Sequence, residues 1–153
     1  MTSVISIDEH FMRMALDEAS IAYNEGEVPV GAVLVKDGKV ISKAHNQRED
    51  SKDPTGHAEI IALKHGSREE DNWRLTGFTL YVTKEPCIMC AGAMVNARLG
   101  RLVYGCKDDK GGAVGSLYNI LSDKRLNHQV EVVSGVLEEE CSEILKRFFQ
   151  HRR

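Results

Sequence analysis

Phe78-Thr79-Leu80-Tyr81-Val82-Thr83-Lys84-Glu85-Pro86-Cys87-Ile88-Met89-Cys90 reads as a strand that runs directly into a helix. The first six residues are β-branched, aromatic or leucine, the composition of a half-buried or buried strand. Pro86 is a helix-start signal, because proline is tolerated in the first helical turn. Ala91, Gly92, Ala93, Met94 and Val95 continue the helix with small residues that permit close packing. Arg101-Leu102-Val103-Tyr104-Gly105 follows as another strand. Strand, helix and strand with short links imply a parallel pair joined by a right-handed crossover.

The same stretch carries chemistry. Cys87 and Cys90 are three residues apart, a spacing that puts both sulfurs on one helix face. At a helix start the macrodipole favours their thiolate forms. Two thiolates there suit zinc or an iron–sulfur cluster. His57 is a third candidate ligand, and a fourth is missing nearby. Structural zinc sites are closed by four protein ligands, whereas catalytic ones use three and keep a position for water. Such a water needs a proton acceptor, and Glu59 stands two residues from His57. Residues two apart do not share a helix face. At the first turn, however, one can bind metal while the other lies over the open position. Alone, C-x-x-C is read equally well as a redox pair, half of a structural zinc site or two packed thiols. H-x-E alone says almost nothing. Their ordered combination resembles the signature of zinc-dependent base deaminases.

Composition bounds the rest. The chain has 153 residues, 42% hydrophobic and 28% charged, which suits one globular domain spanning residues 1–153. A net charge of −3 leaves no molecule-wide basic field for nucleic acid, so any such contact needs a local patch. The first nine residues show no charged segment followed by a long apolar run, and no signal peptide is expected. No apolar run approaches membrane-spanning length. Four cysteines are then expected as thiols and metal ligands in a cytoplasmic protein, with Cys106 and Cys141 as small buried hydrophobes.

In chain order, Ser6-Ile7-Asp8-Glu9 resembles a capping box and opens a helix whose apolar stripe is Phe11, Met14, Ala15, Ala19 and Ala22. Gly26 is a plausible stop. Residues 30–36 and 39–44 flank Asp37-Gly38 and predict an antiparallel hairpin. Asn46 reads as a turn residue at its end. A polar loop over 47–55 leads to a helix from His57 to His65, ended by Gly66. Residues 67–77 form a connector with Trp73 packed in it. A charged loop at 107–112, a fifth strand at 130–134 and a helix over 137–149 complete the chain. The expected architecture is a three-layer α/β/α domain with a five-stranded mixed sheet. Both ligand-bearing helices follow strands, so their starts can converge at the carboxyl edge of the sheet.

Three segments, residues 53–60, 79–94 and 111–116, closely resemble the bacterial tRNA-specific adenosine deaminases of the cytidine/deoxycytidylate deaminase superfamily. The likeness covers nearly the whole chain and implies the cytidine-deaminase-like fold. It implies zinc-dependent hydrolytic deamination of the wobble adenosine of a tRNA anticodon to inosine, by a homodimer with one Zn2+ per subunit. It assigns His57, Cys87 and Cys90 to zinc and Glu59 to proton shuttling. It gives Asn46 a hydrogen bond to the flipped base, places Asp108 and Lys110 in a loop beside the anticodon nucleotides, and has Phe149 contact the RNA. Gly56, where alanine is expected, and Lys84, where an apolar residue is expected, depart from the pattern.

Residues 146–153 carry four cations and no acid, with Phe148 and Phe149 among them, a composition suited to unstacked bases and phosphates. Cations at a helix C-terminus that offset its dipole are the plainer reading of the same residues. Two other functions stay open. One is deamination of a free base or nucleoside such as guanine, cytosine or cytidine. The other is a non-catalytic, zinc-stabilised RNA-binding module, which would have no use for Glu59.

Overall fold

A computed structural model describes residues 6–49 and 51–151. The expected Arg152-Arg153 part of the basic tail lies outside the described residues. Nine elements follow in order: α1 (Ile7–Asn24), β1 (Gly31–Lys36), β2 (Lys39–His45), α2 (Ala58–Glu69), β3 (Phe78–Lys84), α3 (Ile88–Asn96), β4 (Arg101–Cys106), β5 (Glu131–Val133) and α4 (Glu138–Gln150). The strands form one mixed sheet in the order β2-β1-β3-β4-β5. β1 is antiparallel to both neighbours, while β3, β4 and β5 run parallel. Asp37 and Gly38 both have positive φ, 51° and 76°, the geometry that closes a two-residue hairpin.

Side-chain alternation along the strands sorts two apolar layers. Leu34, Leu80, Val82, Leu102 and Tyr104 face α2 and α3. Val33, Val35, Tyr81 and Val103 face Phe11, Met12 and Ala15 of α1 and Cys141 of α4. The three-layer α/β/α arrangement is therefore observed. Ser6 caps α1 by accepting the Glu9 N–H at 3.1 Å. Met12, not Met14, is the fully buried methionine of that helix. The first residue of β4, Arg101, donates to both oxygens of Asp8 at 2.9 and 2.7 Å, and Tyr81 donates to Oδ1 at 2.8 Å. This cluster staples the start of α1 to the sheet at the edge away from the cysteines. Gly105 lets α4 approach β4 closely. A Cβ there would sit 2.4 Å from Cys141 Sγ and 2.7 Å from the Thr83 carbonyl oxygen.

Some details differ from expectation. α2 continues through Gly66 to Glu69, because Gly66 is buried mid-helix against Leu34 rather than ending it. β5 is only three residues long. Val130 donates instead to the Leu121 carbonyl, and Gly135, at φ 81°, turns the chain away. Trp73 is 58% exposed rather than packed. The parallel pair β4 and β5 is joined by residues 107–130, which hold no helix and only two isolated bridges, Cys87 with Gly112 and Val114 with Asn119.

Candidate active site

α2 and α3 both begin at the carboxyl edge of the sheet, and each begins with a metal-ligand candidate. His57 is the N-cap of α2 and Cys87 the N-cap of α3, both in extended conformation without a side-chain cap bond. The thiols thus straddle the helix start: Cys87 sits just outside it and Cys90 in its first turn. His57 Nδ1 lies 3.6 Å from Cys87 Sγ and 3.5 Å from Cys90 Sγ. All three donor atoms fall within 4.8 Å of one another. Zinc–sulfur and zinc–nitrogen bonds of ordinary length in a tetrahedron require a sulfur-to-nitrogen distance of about 3.6 Å. The cluster fits a metal ion of that kind, and Nδ1 is the ring nitrogen it offers.

Close contacts couple the titration of the three groups. The Cys87 thiol is lowered to about 3, chiefly by the hydrogen bond from Cys90, against burial and with help from His57. Cys90 is pushed up correspondingly by Cys87 and by burial. His57 is raised by its hydrogen bond to Cys87, against burial. The thiolate is the form in which a thiol binds metal.

Glu59 is 4% exposed, and burial holds its carboxyl above the usual range, with His57 opposing. It shares a cavity of about 150 Å³ with His57, Cys87, Asn46, Asp108 and Phe149. Asn46 Oδ1 accepts the Ala58 N–H at 2.8 Å, the first N–H of α2. That bond fixes the amide orientation and leaves the NH2 group as its donor to the cavity. Phe148 is buried, but Phe149 is 53% exposed and closes one wall. Lys110 is exposed and does not line the cavity; its N–H donates to Asp108 Oδ1 at 3.1 Å.

Val28, Val30, Arg48, Lys84 and Glu85 also line the cavity, and no short motif marks the first three. Lys84 pairs with Asp108 at 3.2 Å. Against burial, the Lys110 N–H and then Lys84 keep the Asp108 carboxyl below its ordinary value. The second departure, Gly56, is buried in a tight loop. A Cβ there would lie 3.1 Å from the Arg48 Cα and N and the Asp53 carbonyl oxygen. Having no side chain, Gly56 can approach Arg48 and Asp53 ahead of His57, with Gln47 donating to the Gly56 carbonyl at 2.9 Å.

Residues 7–153 match the family model described as MafB19-like deaminase. The sheet, the paired helix starts and the His-Cys-Cys cluster define the class: this is a deaminase of the cytidine-deaminase-like fold. A tRNA-specific adenosine deaminase of Bacillus subtilis (strain 168) is 51% identical over 146 residues, covering 95% of this chain and 91% of the relative. One from Haemophilus influenzae is 52% identical over 147 residues, covering 95% and 85%. A solved structure from a study of A-to-I editing by tRNA:A34 deaminases superposes with a TM-score of 0.86 at 47% identity, covering 89% of this chain and 99% of that one. The chain belongs to the family of tRNA-specific adenosine deaminases. A guanine deaminase from Nitrosomonas europaea, at 20% identity with a TM-score of 0.82 over 95% of this chain and 86% of that one, shares the fold alone.

Proposed function

We propose that this protein hydrolytically deaminates the wobble adenosine of a tRNA anticodon to inosine, acting as a single domain over residues 1–153. The observation that carries the chemistry is a buried carboxylate, Glu59, in one cavity with the His57-Cys87-Cys90 cluster. A purely structural metal site has no need of it. The identity of about half the residues with tRNA-specific adenosine deaminases supports the choice of substrate.

His57, Cys87 and Cys90 would hold one zinc ion, which when bound supplies a Lewis acid and a nucleophilic water near neutral pH. Glu59 takes a proton from the attacking water and passes it to the purine ring. It then helps protonate the amine that leaves as ammonia. Burial suits the carboxyl to this two-way traffic, because a raised pKa brings its proton affinity toward the working pH. Asn46, with its oxygen held by Ala58, donates from its NH2 to an acceptor on the base edge. Phe149 offers a ring face to an unstacked base. Asp108 and Lys110 meet the neighbouring nucleotides. An anticodon loop suits such a cavity, since a loop nucleotide is cheaper to extract than a paired one.

The protein is also proposed to act as a homodimer in the cytoplasm. A groove whose apolar residues Ile60, Leu63, Trp73, Ala93 and Ala97 are rimmed by Lys64, Ser67, Arg68 and Asn96 supports a second copy. No helix among the described residues is long and apolar enough to cross a membrane.

The test offers zinc-loaded protein an anticodon stem-loop with wobble adenosine and, separately, guanine, cytosine, cytidine and adenosine. Inosine formed in the RNA alone is the expected result. Turnover of a free base alone would replace this reading with a metabolic one. Zinc bound with no turnover would leave a non-catalytic module.

A further inference from the structure

Glu85 has no part in the chemistry just described, yet it is 2% exposed at the very edge of the pocket. Among the described residues its carboxylate is met by N–H and hydroxyl donors. Oε1 accepts the Asp108 N–H at 3.0 Å and the Ser116 hydroxyl. Oε2 accepts the N–H groups of Val114 and Ser116 at 3.0 and 3.1 Å. All four donors belong to residues 108–116, part of a connection without helix or strand. Gly112 packs directly on the carboxylate, where a Cβ would lie 2.3 Å from Cδ. The loop is wrapped around one side chain.

The anchor point gives this arrangement its meaning. Glu85 stands between Lys84, which pairs with Asp108, and Pro86, whose carbonyl accepts the Ala113 N–H at 2.9 Å. Cys87 itself bridges to Gly112. The segment that presents the metal-ligand thiols and the loop that presents Asp108 and Lys110 are thereby fastened along one seam.

We infer that Glu85 is a positioning residue for substrate: its carboxylate is the template that sets the register of residues 108–116 against the Pro86–Cys90 turn. Removing it leaves the thiols and Glu59 in place but lets Asp108 and Lys110 drift from the substrate. The inference rests on the proposed RNA reaction for its substrate readout and on hydrogen exchange for an independent one.

The experiment compares wild type, Glu85→Gln and the gentler Ser116→Ala. Each is loaded with zinc and assayed on the anticodon stem-loop, with zinc content and amide exchange measured alongside. The glutamine keeps the shape but turns one acceptor into a donor facing N–H groups. KM is expected to rise about tenfold in Glu85→Gln and about threefold in Ser116→Ala, with kcat and zinc stoichiometry unchanged. Protection is expected to fall at the amides of Asp108, Val114 and Ser116 but not in α3. Replacing Asp108 with alanine should raise KM in wild type and add little to Glu85→Gln.

A fall in kcat matching lost zinc, with KM constant, would overturn the inference and make Glu85 a fold or metal-site support. Unchanged KM and protection in both variants would overturn it too. If wild type itself fails to turn over the stem-loop, the substrate reading fails, and the exchange data alone decide whether Glu85 templates the loop.

Discussion

Glu85 and Asp8 are two acidic anchors at opposite ends of the same sheet, and their partners differ in kind. Asp8 meets the fork of the Arg101 guanidinium and the Tyr81 hydroxyl. Glu85 meets three backbone N–H groups and a hydroxyl. An ion pair joins elements that already have shape: here a helix start and the first residue of a strand. Directional bonds to neutral donors instead impose shape on a segment that has none. Around Glu85 the pocket edge is thus organised mainly by hydrogen-bond geometry, with the Lys84–Asp108 pair beside it, and the far edge by charge pairing. Substitutions near the pocket should change activity with little effect on folding, and substitutions at the far edge the reverse.

The largest expected effect is at Glu59. Glu59→Gln should lower kcat by roughly 10³-fold, within the span of general acid–base contributions. Its thermal midpoint should hold or rise, because a neutral amide avoids the cost that burial places on the carboxylate. A large stability loss would break the contrast between the two edges. Cys90→Ala should come next, with zinc stoichiometry per chain falling to near zero by elemental analysis while far-UV circular dichroism keeps its shape. Retention of a full equivalent of zinc would remove Cys90 from the ligand set.

At the far edge, Arg101→Met should cost about 2 kcal/mol in denaturant unfolding, since it leaves a partly buried carboxylate without its charged donors. Activity per folded molecule should stay at the wild-type level. The same pair shapes acid stability. Arg101, opposed by burial and aided by Tyr81, lowers the Asp8 carboxyl in the folded state. Its contribution is therefore fully present above the unfolded carboxyl value of about 4 and is lost as pH falls through the lower folded value. Asp8→Asn should flatten that acid limb in pH-dependent melting; an unchanged limb would deny Asp8 the role. The smallest effect should be Lys84→Leu, whose partly exposed pair with Asp108 is worth under about 1 kcal/mol.

The sequence discloses what depends on near neighbours. The strand into Pro86, the i,i+3 thiols and the Asp37-Gly38 hairpin all carry local signals, and the structure keeps them. Asn46 reads as a turn residue locally; its bond to Ala58 spans twelve positions and appears only in the fold. Glu85 carries no signal at all, because its partners lie 23 to 31 residues further on in a loop without periodicity. Arg48 lines the pocket from a polar loop of ordinary composition. Gly66 looks like a helix stop, but the space left by its missing side chain is filled by Leu34. Trp73 looks like core, yet its ring is covered on one side by its own neighbour, with the Arg74 guanidinium 5.0 Å from the ring centroid.

The contact between Gly105 and Cys141 has an evolutionary side. A side chain at 105, or a larger one at 141, would lift α4 from β4. Phe149 rides on the same helix, so the pocket wall would move with it. These two buried positions, remote from the reacting atoms, are then not free to drift separately. Lineages should keep glycine at 105 with a small residue at 141, or change both together. Selection acting on a base at the pocket mouth would leave its trace on the opposite face of the sheet.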